Sequence, residues 1–287
     1  MPLMNIIKET GGTVPDLNPE KPPKKNNLLV RVISALVMAP VAGYIILSGG
    51  LAFLILIGVL TILILYEWNG ICEKKPLSLL FFVQVFCSLL LMFQISENSP
   101  YIDYSIISSL ISIAAVSFLI KAKVRWALLG FLYAIIPTLC FLIIQQNYGG
   151  VVLLWMMLVI WAMDTGGYFA GKNIGGPKMS PKISPNKTWS GLAGGTILAM
   201  IAGSAYGAFM QGSNVPLFND ATILLILSGL FAILSQLGDL AESAVKRKFA
   251  VKDSGAIIPG HGGIMDRVDG VLFVAPAVVI VINVLYG

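Results

Sequence analysis

The run LAFLILIGVLTILILYE, Leu51 to Glu67, decides the fold class: it is seventeen residues long and carries no charge until its last position. A helix that crosses a bilayer needs about 20 predominantly apolar residues, with a range of about 17 to 25. Inside lipid the backbone must satisfy its own hydrogen bonds, so such a run is a helix. Working outward from it, comparable runs occur at roughly 30–48, 77–95, 104–120, 125–145, 150–169, 190–210, 221–240 and 268–286, giving nine in all. A mean hydropathy of +0.86 over the whole chain places it among polytopic membrane proteins. The expected fold is an all-α polytopic integral membrane protein of nine transmembrane helices.

Orientation follows from the basic residues. If the segment before the first span, with Lys8, Lys21, Lys24, Lys25 and Arg31, is cytoplasmic, nine spans place every other connection on that side. Those connections hold Lys74 and Lys75, then Lys121, Lys123 and Arg125, then Lys172, Lys178, Lys182 and Lys187, and finally Lys246, Arg247, Lys248, Lys252 and Arg267. Together these account for all 19 lysines and arginines. The opposite loops, SENSPYID and QGSNVPLFND among them, have none. The expectation is an amino terminus inside and a carboxyl terminus on the opposite side. The net charge of +5 then needs no nucleic acid to explain it.

Three regions differ in composition. Residues 1–27 are rich in Pro, Asn and Lys and read as a flexible cytoplasmic tail, not as a signal peptide. Residues 28–148, spans one to five, have short connections and few polar side chains and read as scaffold. Residues 149–287, spans six to nine, carry two long polar connections on the cytoplasmic side, where the chemistry is expected. Cys72, Cys87 and Cys140 are odd in number and show no metal-ligand spacing, so they read as small buried hydrophobes.

Asp239, Glu242, Ser243 and Lys246 are spaced i, i+3, i+4, i+7 and share one face of a helix. A lone carboxylate near lipid needs a partner. For Asp239 that partner is either a base on its own helix, Lys246 or Arg247, or a ligand. Asp266 and Asp269 open the ninth span. They complement its amino-terminal dipole or, with Asp239, form a site for a hard divalent cation. Lys246, Arg247, Lys252 and Arg267 are then available for phosphate oxygens. Carboxylates, metal and basic groups at one face suit phosphoryl or nucleotidyl transfer, because charge at the transferring phosphorus has to be stabilised.

His261, the only histidine, sits among Gly260, Gly262 and Gly263. The glycines let the backbone approach an anion and form a nest, or else mark an ordinary tight turn. A dinucleotide fingerprint and a P-loop are both absent. The pairs Gly167 and Gly171, Gly191 and Gly195, and Gly203 and Gly207 fit close helix packing.

The 27 residues SAVKRKFAVKDSGAIIPGHGGIMDRVD, Ser243 to Asp269, resemble the signature of the phosphatidate cytidylyltransferases, the CDP-diacylglycerol synthases. QLGDLAES from Gln236, DTGGYFAGK from Asp164 and SPNKTWSG from Ser184 extend the likeness. One departure is Ser190, where the family pattern has glutamate. The resemblance implies transfer of the cytidylyl group of CTP to phosphatidate, with release of pyrophosphate, in phospholipid biosynthesis. It implies Mg²⁺ held by Asp239, Asp266 and Asp269, with room for a second cation such as K⁺. Asp239, Asp266, Asp269, Lys246, Arg247 and Arg267 are the expected catalytic set. Ser243, Lys252, His261, Gly262, Gly263, Lys187 and Asp164 are the expected substrate-binding set. The expected setting is a bacterial inner membrane with the site facing the cytoplasm, and a homodimer is compatible with it. Two other readings stay open: a CTP-dependent kinase of a polyprenol or similar lipid alcohol, and an ion-coupled transporter.

Overall fold

The computed structural model describes residues 40–255, 257 and 262–286. The tail, the beginning of the first span and His261 lie outside the described residues. The helices are α1 (residues 40–48), α2 (Gly50–Cys72), α3 (Leu79–Ser96), α4 (Ile102–Leu119), α5 (Val124–Tyr148), α6 (Gly150–Asn173), α7 (Trp189–Phe209), α8 (Ala221–Lys248) and α9 (Met265–Tyr286). Eight of these, α2 to α9, are long and apolar enough to cross a membrane. With the residues before position 40 left aside, the all-α polytopic architecture expected from the apolar runs is what the chain adopts.

Contacts at the helix ends sort the connections as the basic residues do. At one end, Glu73 accepts the backbone N–H of Lys123, joining the exit of α2 to the entry of α5. At the other, Gln146 donates to the carbonyls of Ile95 and Ser96, and the Tyr206 hydroxyl donates to the carbonyl of Val151. The lysine- and arginine-bearing connections share the first end.

Helices α2, α3 and α5 are joined by buried polar side chains. Asn69 on α2 donates to Gln84 on α3 at 2.7 Å, and Gln84 donates to the carbonyl of Ala127 on α5 at 2.9 Å. Trp68 donates its indole N–H to the carbonyl of Trp126 at 2.9 Å. Between helices in lipid such bonds contribute about 0.6 to 2 kcal/mol each, because burying more apolar surface against a neighbour gains little over lipid. The three cysteines are free and buried, as the sequence suggests.

Small residues bring the later helices together. α6 lies against α7, α7 against α8 and α8 against α9, while α9 reaches back to α5 and α2. At the α6–α7 crossing a Cβ on Gly191 would lie 2.9 Å from the carbonyl oxygen of Gly167 and 3.5 Å from the Cα of Gly171. The backbones touch there, so the glycine pairs act as packing residues. Two features were not expected from hydropathy. A short antiparallel hairpin, β1 (Lys178–Ser180) and β2 (Ser184–Thr188), occupies the loop before α7. α8 continues to Lys248, beyond the apolar limit near residue 240, because its last turns bury Glu242 and Lys246 against neighbouring helices.

Gly191→Ala, which pushes a methyl group into backbone, is expected to destabilise the α6–α7 pair by about 1–3 kcal/mol. A lower thermal unfolding temperature in detergent would check this.

Candidate active site

The hairpin and the two helix ends converge at the basic end. Thr188 caps α7 by accepting the N–H of Gly191 at 3.1 Å, and the Ser190 hydroxyl donates to the carbonyl of Gly175. These bonds set β2 so that Lys187 forms an ion pair with Asp239 on α8. Asp239 also accepts the hydroxyl of Ser243, one turn on, at 3.3 Å. Asp164, Asn186, Lys187, Thr188, Gln236 and Asp239 line a cleft of about 200 Å³. Asp164, Asp239 and Asp269 lie within electrostatic range of one another, and Lys187 acts on both Asp164 and Asp269. Arg267 is exposed and also acts on Asp164. Asp239 therefore pairs with a lysine from the neighbouring loop, not with Lys246 on its own helix.

Lys246 is engaged elsewhere. Its ammonium lies 3.0 Å from Glu242 and 2.5 Å from Asp266, so one cation joins two carboxylates from α8 and α9. The other oxygen of Asp266 accepts the backbone N–H groups of Ser254 and Gly263, at 3.0 and 3.2 Å. Asp266 thus gathers both ends of the glycine-rich loop onto the start of α9. Gly262 holds φ +85°, a conformation that favours glycine. Arg247 donates to the carbonyls of Ile183 in the hairpin turn and Val251 after α8, which ties the two polar connections together. Lys252 is exposed beside them.

The residue that sequence reasoning missed is Glu67. It ends the opening apolar run, on a helix read as scaffold, and is only 2% exposed. Its Oε1 accepts the N–H of Ile264 at 2.9 Å, while Oε2 accepts Met265 N–H at 2.8 Å and the Ser254 hydroxyl at 2.9 Å. A carboxylate at a helix amino terminus is favoured by the dipole and by the unpaired N–H groups of the first turn. Here the cap comes from another helix. Gly263 has to be glycine at this point, since a Cβ would lie 1.8 Å from the Ser254 hydroxyl and 2.7 Å from both Glu67 oxygens. The available signal was the charge itself, a carboxylate closing an otherwise apolar span. Its partners, about two hundred positions away, leave no trace in spacing.

Among the described residues no three His, Cys, Asp or Glu side chains converge closely enough to hold a metal ion by themselves. The oxygen donors suit Mg²⁺ all the same, because that ion keeps several waters and takes one or two carboxylates together with substrate phosphates.

A family model described as the cytidylyltransferase family matches residues 29–285, and the chain belongs to that family. It is a nucleotidyltransferase and an integral membrane protein. It is similar to phosphatidate cytidylyltransferases of Bacillus subtilis, 35% identical over 88% of this chain and 95% of the relative, and Haemophilus influenzae, 33% identical over 86% and 95%. The enzyme of that name from Brucella suis is 31% identical over 87% of this chain and 91% of its own length.

Glu67→Ala leaves two backbone donors and a hydroxyl buried without an acceptor. It is expected to destabilise the α9 entry by about 3 kcal/mol or more. Limited proteolysis should then cut first within residues 249–264; an unchanged cleavage pattern would show that the cap does not hold the loop.

Proposed function

We infer that the chain transfers the cytidylyl group of CTP to phosphatidate, forming CDP-diacylglycerol and pyrophosphate. The observation that carries this reading is the convergence, at the basic end of a membrane bundle, of Ser243, Lys246, Asp266 and Asp269 from the signature with the cleft at Lys187 and Asp239. Both substrates are polyanions, and their phosphates meet Lys187, Lys246, Arg247, Lys252 and Arg267 there. The relatives carry the name of this activity over nearly their whole length. The Ser243–Asp269 signature and the names of the relatives argue against the kinase reading, and the crowding of charged groups at one end, among the described residues, argues against the transporter reading.

In the proposed mechanism a phosphatidate oxygen attacks the α-phosphorus of CTP in line. A new P–O bond forms, the bond to the β-phosphate bridging oxygen breaks, and pyrophosphate departs with that oxygen. A phosphate monoester is already largely ionised near neutral pH, so no strong general base is required. Asp239, Asp266 and Asp269 are the candidate carboxylates, of which one or two would hold Mg²⁺ together with the substrate phosphates, and the ion would supply charge neutralisation there; a K⁺ ion is a candidate for a second place. Lys187 and Lys246, paired with Asp239 and Asp266, are assigned to the phosphate oxygens of the substrates. Asp164 borders the same cleft and acts on Lys187, and Ser243 orients Asp239 through its hydroxyl. Gly262 and Gly263 bring loop backbone to the start of α9. Arg267, exposed beside Asp164, is assigned to the phosphatidate headgroup. We place this end on the cytoplasmic side of a bacterial inner membrane, on the strength of the lysine and arginine distribution and the bacterial relatives.

Pyrophosphate release by the purified protein in detergent, with CTP, phosphatidate and Mg²⁺, tests the reading. Turnover should require both substrates and fall by about 10²-fold or more in Asp266→Asn and in Lys187→Ala, the scale of removing a group that stabilises transferring charge. Full activity in either variant, at an unchanged unfolding temperature, would remove that residue from the mechanism.

A further inference from the structure

We propose that the apolar cavity enclosed by α1, α2, α5, α6 and α9 seats one acyl chain of the lipid substrate, with Arg267 at its mouth. This rests on the phosphatidate reading above. The cavity holds about 510 Å³ and is lined almost throughout by aliphatic, aromatic and methionine side chains. Two of its few polar groups, the hydroxyls of Thr61 and Thr138, lie 2.6 Å apart and within reach of the carbonyls of Ile57 and Ala134, so they are satisfied within the wall. Water entering such a space finds too few partners to be held. A nucleotide is excluded for the same reason.

The shape selects a hydrocarbon chain from one leaflet. Along α2 the lining runs from Ile64 to Phe53, about 16 Å at a rise of about 1.5 Å per residue. That is about half of a hydrocarbon core of ~30 Å, the depth reached by a single chain whose headgroup stays at one surface. Ile264, Arg267 and Val268 of the α9 entry border the cavity, and Arg267 also acts on Asp164 in the polar cleft. A phosphate held at Arg267 therefore has the nucleotide cleft on one side and the apolar cavity on the other. Trp161 borders the cavity and is 47% exposed at the bundle surface, marking where a chain enters sideways from the bilayer.

Leu56 on α2 and Met157 on α6 line the cavity from different helices. Leu56→Trp and Met157→Trp fill part of it. The measurement is kcat/KM for dipalmitoyl and dihexanoyl phosphatidate in detergent micelles with CTP and Mg²⁺, for wild type and each variant. The ratio of long-chain to short-chain kcat/KM should fall about tenfold or more in both variants, the effect of displacing about two buried methylenes. A ratio unchanged in the folded variants would overturn the proposal and leave the cavity to a lipid that is not turned over. A wild type that turns over both lipids with equal kcat/KM would overturn it without recourse to variants. Absence of CTP-dependent turnover with either lipid in the wild type would instead defeat the functional reading on which it rests.

Discussion

The carboxylate of Glu67 on the first turn of α9 is the contact on which the arrangement of this site depends. Burying an ionised group in a membrane protein costs several kcal/mol unless donors surround it. Three donors do so, two from the α9 entry and one from Ser254 on the incoming loop. The same bonds satisfy N–H groups that every helix start leaves open. One residue of α2 thereby fixes where α9 begins, and with it the direction of Asp266, Arg267 and Asp269.

Around that fixed point the charges form two ion-pair groups. Lys246 draws α8 and α9 together through Glu242 and Asp266, while Lys187 brings the hairpin to α8 through Asp239. Neither lysine comes from the loop that bears the glycines, so the loop itself carries little of the positive charge. Its part is steric: Gly263 leaves space for Glu67 and Ser254, and Gly262 supplies a backbone conformation that other residues rarely adopt. The close glycine contacts of α6 with α7 do the same service for the hairpin, since they fix the helix ends between which it is strung.

Much of this was legible in the sequence because the physics involved is local. Apolar run lengths anticipated α2 to α9, and the lysines and arginines of the described connections anticipated which of those connections share an end. The i, i+3, i+4, i+7 pattern anticipated that Asp239, Glu242, Ser243 and Lys246 share a face of one helix. Partner choice was another matter. Asp239 pairs with Lys187 from the hairpin, fifty-two positions away, where spacing offered Lys246 as the neighbour. Glu67 looked like the polar end of a scaffold span because its partners lie in the last quarter of the chain. The hairpin at Lys178–Thr188 carries no alternation long enough to announce a strand pair. Interactions that depend on tertiary approach were hidden; those set by one helix period or by the thickness of a bilayer were not.

The central claim, that the α-phosphoryl nucleotide moiety moves to the lipid, is tested most directly by following label from CTP. With CTP labelled at the α-phosphorus, the account predicts that label enters the organic-soluble lipid fraction in a phosphatidate-dependent manner, while label at the γ-phosphorus leaves in aqueous pyrophosphate. Lipid-soluble label from the γ position, with none from the α position, would contradict it and establish a lipid kinase in its place.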